Sequence, residues 1–248
     1  MPRTSCSAQR ATVLLAALVL STFLMACGAD RSTEEAHAPG RILGLGDSIL
    51  SFHGGQDDIP IVAAGSLGYR ATNAAYPGAR IAHPDSPNVT RRQDIRAQHD
   101  SAPPGPFDWV VMNGGINDLA HNCGCSACEP VLDDLISTDG TAGHIPDLVR
   151  QIVAQGPNVL YVGYFEVRTD SPFGFGPCNP FVDELDQRLA RMALTSDGVW
   201  YFDPDEVFDD GTAADPYDAD GLHPSVAGSR IIGEHAVAII TEASAPDD

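Results

Sequence analysis

The chain has 248 residues, 43% of them hydrophobic, which is enough for one α/β domain with a sizeable core behind a short leader. Its 24 glycines and 19 prolines fit a loop-rich enzyme and fall short of a disordered composition. A formal net charge of -20 excludes a surface that attracts nucleic acid or an anionic membrane, and it disfavours strongly anionic substrates unless the site is locally basic.

At the N-terminus, Arg3 and Arg10 precede an apolar run over residues 11–26. That run is shorter than the roughly 20 residues of a membrane span. Basic residues, an apolar stretch and then small residues describe a secretory signal peptide over residues 1–26. The run ends Leu24-Met25-Ala26-Cys27, which resembles a bacterial lipobox and makes Cys27 the candidate lipidation site. Residues 27–40 are polar and small and read as a tether, leaving 41–248 as the folded body. The expected location is therefore outside the cytoplasm, as a periplasmic or outer-membrane-anchored lipoprotein. Simple secretion and an uncleaved anchor are the alternatives. On the lipoprotein reading, an N-terminal lipid is the only membrane attachment expected.

Strand-like apolar runs follow at 41–46, 108–113, 158–165 and 199–203, with a weaker one at 72–75. Helix-like stretches fall between and after them, at 59–69, 91–99, 129–154, 180–195 and 225–243. Within the fourth, Leu185, Leu189 and Met192 have the spacing of a core-facing stripe. No repeat and no linker divides the body. Strands alternating with helices predict a parallel sheet covered on both faces. Chemistry in such sheets is expected in the loops at the carboxyl ends of the strands.

The first strand ends Gly44-Leu45-Gly46-Asp47-Ser48, placing a serine at the mouth of the sheet, where its own N–H can face a developing oxyanion. Ile49 stands where a dinucleotide fingerprint needs its third glycine, and no Gly-x-Ser-x-Gly elbow occurs. After the weak strand comes Asn73-Ala74-Ala75-Tyr76-Pro77-Gly78, whose last residue exposes an unobstructed N–H. The third block, Gly114-Gly115-Ile116-Asn117-Asp118, offers an asparagine amide to the same oxyanion. Taken alone, each of these segments reads equally well as a turn. Before the last helix stands Asp220-Gly221-Leu222-His223-Pro224. A histidine that takes a serine proton needs a carboxylate on its other ring nitrogen, and a three-residue spacing in a tight loop can supply one.

Four cysteines lie in the body: Cys123, Cys125, Cys128 and Cys178. An even count in an oxidising compartment favours two disulfides, with three pairings open. A Cys123–Cys125 ring would be strained, so each is expected to reach Cys128 or Cys178. The rival reading is a tetrahedral zinc site. The acidic stretch from Asp203 to Asp220 has the wrong spacing for an EF-hand loop and reads as a solvated loop.

In order, Gly46-Asp47-Ser48, Gly78, Gly115-Ile116-Asn117-Asp118 and Asp220-x-x-His223 resemble the four blocks of the SGNH (GDSL-like) hydrolase family over about residues 41–240. The resemblance implies a three-layer α/β/α sandwich, flavodoxin-like, on a five-stranded parallel sheet. It implies a serine esterase in which Ser48 is the nucleophile, His223 the base and Asp220 its orienting carboxylate. The N–H groups of Ser48 and Gly78 and the amide of Asn117 would form the oxyanion hole. No metal or organic cofactor is implied. The expected substrates are small-molecule or polysaccharide esters: carboxylic esters of short to medium acyl chains, or alternatively the O-acetyl groups of a polysaccharide. A non-catalytic envelope lipoprotein is the reading from another class. Ala75 departs from the family, which often has glycine there. A second Asp-x-x-His, Asp118 to His121, competes with Asp220/His223; the latter is preferred because proline and the final helix follow it, as in the family. His121 is then expected to line the pocket or lie on the surface, and the remaining histidines are read as surface residues.

Overall fold

The computed structural model describes residues 39–82, 88–208 and 215–245. The leader, Cys27 and nearly all of the tether lie outside the described residues. Five strands form the sheet: β1 (Arg41–Leu45), β2 (Arg70–Asn73), β3 (Trp109–Met112), β4 (Asn158–Val162) and β5 (Val199–Phe202). They run parallel in the order β2-β1-β3-β4-β5. Every residue of β3, and all but the first of β1 and β4, is buried, as a sheet covered on both faces requires. The edge strand β2 is only half-buried along its length.

Among the described residues there are eight α-helices: α1 (Ile59–Leu67), α2 (Ile95–Asp100), α3 (Ile116–Asn122), α4 (Glu129–Leu135), α5 (His144–Val153), α6 (Asn179–Thr195), the short α7 (Asp205–Phe208) and α8 (Val226–Ala243). Helix α8 lies against α1, α5 against β4, and α6 against β5. The stripe on α6 is buried as its spacing predicts, with Leu185 and Leu189 fully buried and Met192 nearly so. Truncating one such side chain to alanine costs about 2–5 kcal/mol. None of the helices described is long and apolar enough to cross a membrane.

One predicted helix is two. The run at 129–154 breaks after Leu135, and α5 resumes at His144. Side chains take over the backbone donors between them: Ser137 Oγ accepts from the N–H of Thr141 and Ala142, and Asp139 Oδ1 also accepts from Thr141. Serine and aspartate compete with helical bonding in this way. The buried Arg188 of α6 then closes the break, donating to Asp133 (2.7 Å), Glu184 (2.8 Å) and the Ile136 carbonyl (2.9 Å).

Candidate active site

The loops at the carboxyl ends of the strands gather the four motifs. After β1 the chain turns at once into a 3-10 helix over Ser48–Leu50, capped by Asp47, whose Oδ1 accepts from the Ile49 N–H at 2.9 Å. Gly46 is required here: its φ is +149°, and a Cβ would lie 1.9 Å from Asn113 Oδ1. That close approach lets Asn113 accept from the Asp47 N–H at 3.0 Å and donate back to Asp47 Oδ1 at 2.7 Å. Gln98, buried on α2, grips the other side of the loop through the N–H (2.8 Å) and carbonyl (2.9 Å) of Gly46.

His223 meets Ser48 across this mouth, with Nε2 2.8 Å from Ser48 Oγ. Its Nδ1 lies 2.7 Å from Asp220 Oδ2. A carboxylate only accepts, so Nδ1 carries the proton and Nε2 is free to receive one from the serine hydroxyl. Asp220 Oδ1 also accepts from the N–H groups of Leu222 and His223, both at 2.9 Å. Partial burial alone would raise the Asp220 carboxyl; the bonds from His223 and Leu222 outweigh it and hold the group below its ordinary range. Asp220 therefore stays ionised wherever His223 can act as a base.

The second and third blocks close on the same loop. The N–H of Tyr76 donates to the Gly46 carbonyl at 2.9 Å. Tyr76-Pro77-Gly78-Ala79 is a turn closed by a 3.1 Å bond, with φ of +74° at Gly78. Among the described residues, neither the Gly78 N–H nor the Ser48 N–H is engaged in a hydrogen bond. Asn117 is buried in the first turn of α3 and donates one amide hydrogen to Asp47 Oδ2 at 3.2 Å, leaving its second uncommitted.

Asp47, read from the sequence only as part of a motif, is a hub. Its carboxylate accepts from Ile49, Asn113, Asn117 and the hydroxyl of Tyr164, the last at 2.7 Å. Burial pushes this carboxyl up, against the bonds from Asn113, Ile49 and Tyr164 and the pull of His223. Burial likewise drives the Tyr164 hydroxyl well above its ordinary range, so it remains a donor.

The competing pair does not form. Asp118 is fully buried and turns to the backbone, accepting from the N–H of Ile81 (3.1 Å) and Ala82 (2.8 Å). Burial pushes its carboxyl up to about 7. His121 is exposed at the end of α3. Partial burial, and then the charge of Arg80, lower its affinity for a proton.

His53, read from the sequence as a surface residue, is half-buried and bonded to the Pro224 carbonyl at 3.0 Å. Of the others, His37 and His83 lie outside the described residues, while His99, His144 and His235 stand away from Ser48 against Asp100, Asp134 and Phe202.

All four cysteines form disulfides, Cys123–Cys128 and Cys125–Cys178, which removes the thiolates that the zinc alternative requires. Among the described residues no cluster of histidine, cysteine, aspartate or glutamate is placed to hold a metal ion.

Residues 44–231 match the model of a family described as GDSL-like lipase/acylhydrolase. No curated protein matches the chain. Solved structures share the fold. A protein from Slackia heliotrinireducens classed provisionally as an SGNH hydrolase is 24% identical, at a TM-score of 0.56 over 82% of this chain and 100% of that one. A carbohydrate acetylesterase family member from Sinorhizobium meliloti is 19% identical, at 0.55 over 82% and 98%. The aryl esterase of M. smegmatis is 20% identical, at 0.53 over 82% and 99%.

Proposed function

The chain belongs to the GDSL-like lipase/acylhydrolase family and is an ester-bond hydrolase, and we propose that it works through an acyl-serine intermediate on Ser48. The observation that carries this reading is the unbroken chain of hydrogen bonds from Ser48 Oγ through His223 to Asp220, at 2.8 and 2.7 Å. Ser48 Oγ attacks the ester carbonyl as His223 Nε2 takes its proton. The imidazolium, held by Asp220, returns that proton to the departing alcohol. Water then repeats the sequence on the acyl-serine. The oxyanion receives the N–H groups of Ser48 and Gly78 and the second amide hydrogen of Asn117, whose orientation is fixed by Asp47. One such donor is worth about 3 kcal/mol of barrier.

Short to medium acyl chains are the proposed substrates. The acetylesterase name of one structural neighbour supports a small acyl group. The proposed setting is an exported lipoprotein anchored through Cys27. The leader sequence supports it, and two disulfides suit an oxidising compartment.

The two Asp-x-x-His pairs give the test. His223→Ala should lower kcat/KM on p-nitrophenyl acetate by at least about 1000-fold. His121→Ala should change it less than about 3-fold, since His121 is exposed on α3. The reverse order would remove His223 as the base.

A further inference from the structure

We infer that Phe52 and Phe173 form the subsite for the alcohol half of the ester, and that this subsite takes a pyranose ring. The inference deepens the assignment of Ser48 and His223 as nucleophile and base and rests on it.

Among the described residues only four large hydrophobic side chains are exposed, and two of them flank the same imidazole. Phe52, 36% exposed, stacks on His223 with ring centroids 4.0 Å apart and planes 6° from parallel. Phe173, 56% exposed, stands edge-on to it at 6.0 Å and 80°. The two come from different loops, one after the Ser48 turn and one after β4. No core requires them there; both rings leave apolar surface in water beside the proton carrier.

The chemistry says which half of the substrate meets them. His223 Nε2 must deliver its proton to the leaving oxygen, so that oxygen lies on the imidazole side of the reacting carbon. Its substituent then extends past His223, over Phe52 and Phe173. The carbonyl oxygen points the other way, toward Gly78 and Asn117, and the aromatic pair therefore sorts alcohols rather than acyl groups.

Polar groups share the loop of Phe173. The loop that carries Phe173 also contributes Glu166, Arg168, Thr169 and Asp170, which with Tyr217 line a groove. This groove borders the histidine turn directly, because the Arg168 N–H donates to the Gly221 carbonyl at 2.9 Å. The aromatic pair and the groove's carboxylates, with Arg168 held by Asp215 and the Tyr217 hydroxyl held by the Glu166 carbonyl, match a pyranose, with its apolar C–H face and hydroxylated rim. A linear alkyl alcohol would use only the aromatic pair, and a planar aryl alcohol would leave the rim groups unused.

The test compares selectivities within each enzyme. The wild type should prefer O-acetylated methyl β-xylopyranoside over both ethyl acetate and cyclohexyl acetate by at least about 10-fold in kcat/KM. Phe173→Ala and Phe52→Ala should each reduce the xyloside-to-ethyl preference by about 10-fold. Neither should alter the ratio of p-nitrophenyl acetate to p-nitrophenyl butyrate by more than 2-fold. Phe173→Trp, which restores an aromatic surface, should keep the sugar preference, and circular dichroism would confirm that all variants fold. A preference that survives both alanine variants overturns the inference, as does a shift in the acetate-to-butyrate ratio or a wild type that favours the alkyl esters. A wild type inactive on every ester would instead overturn the esterase assignment and this inference with it.

Discussion

His53 is hydrogen-bonded through Nε2 to the carbonyl oxygen of Pro224, 3.0 Å away, and so latches the loop that follows the serine to the loop that carries the histidine. A carbonyl only accepts, which makes His53 Nε2 the donor and fixes the tautomer of that ring. The 2.8 Å contact between Ser48 and His223 spans the same two loops. His53 is thus a positioning residue for that contact.

Removing the latch should lower kcat more than it raises KM. His53→Ala is expected to reduce kcat on p-nitrophenyl acetate roughly 10-fold, since small misplacements of reacting groups are costly. His53→Gln retains an N–H donor of similar reach and should recover most of the loss. Equal kinetics for wild type and His53→Ala would show that the two loops hold their places without it.

Asp118 makes a pH prediction. Its carboxyl is pushed up to about 7 in the folded protein by burial, against about 3.9 in an unfolded chain. Between those values the native state keeps a proton that the unfolded state has lost. The contribution is therefore fully present below about pH 4 and is lost as pH rises through about 7. Urea unfolding at pH 5.5 and 8 stays clear of the pI near 4.4. Relative to Asp118→Asn, the wild type should lose about 2 kcal/mol of stability between those two values. A difference that does not change with pH would mean that Asp118 keeps an ordinary carboxylate pKa.

The two disulfides should differ in weight. Cys125–Cys178 closes a separation of 53 residues and Cys123–Cys128 one of 5. Chain entropy assigns about 4 kcal/mol to the first and about 2 to the second. The double variant Cys125→Ser/Cys178→Ser should therefore melt lower than Cys123→Ser/Cys128→Ser. It should also lose more activity, because Cys178 ends the loop that carries Phe173 beside His223. Excess reductant should lower activity before the protein unfolds globally. Full activity in reductant with unchanged melting would separate these bonds from the site.

Most of the sheet is legible in the sequence because four of its strands carry strongly apolar runs; the strand bounds shift by no more than three residues. β2 is less so. It runs Arg70–Asn73 where the pattern suggested 72–75, because a half-exposed edge strand has little apolar signal to fix its ends. The seven-residue α3 went unread as a helix, since Gly114-Gly115 ahead of it looks like a turn. Ser48, Asp220, His223, Asn117 and Gly78 are visible as motifs, and the fold brings Ser48, His223 and Asp220 into contact. What surrounds them is not visible. The link from Tyr164 to Asp47 spans 117 positions and that from His53 to Pro224 spans 171, and neither has a local pattern. Phe52 and Phe173 would pass in the sequence for core residues; only their exposure beside His223 marks them.

The rate of ester hydrolysis by purified, folded Ser48→Ala tests the central claim most directly. Ser48 Oγ lies 2.8 Å from His223 Nε2, and alanine removes it without adding volume. The account predicts a fall in kcat on p-nitrophenyl acetate of at least about 1000-fold, with a melting temperature close to that of the wild type. A folded variant that kept more than a few per cent of wild-type activity would contradict the assignment of Ser48 as the nucleophile.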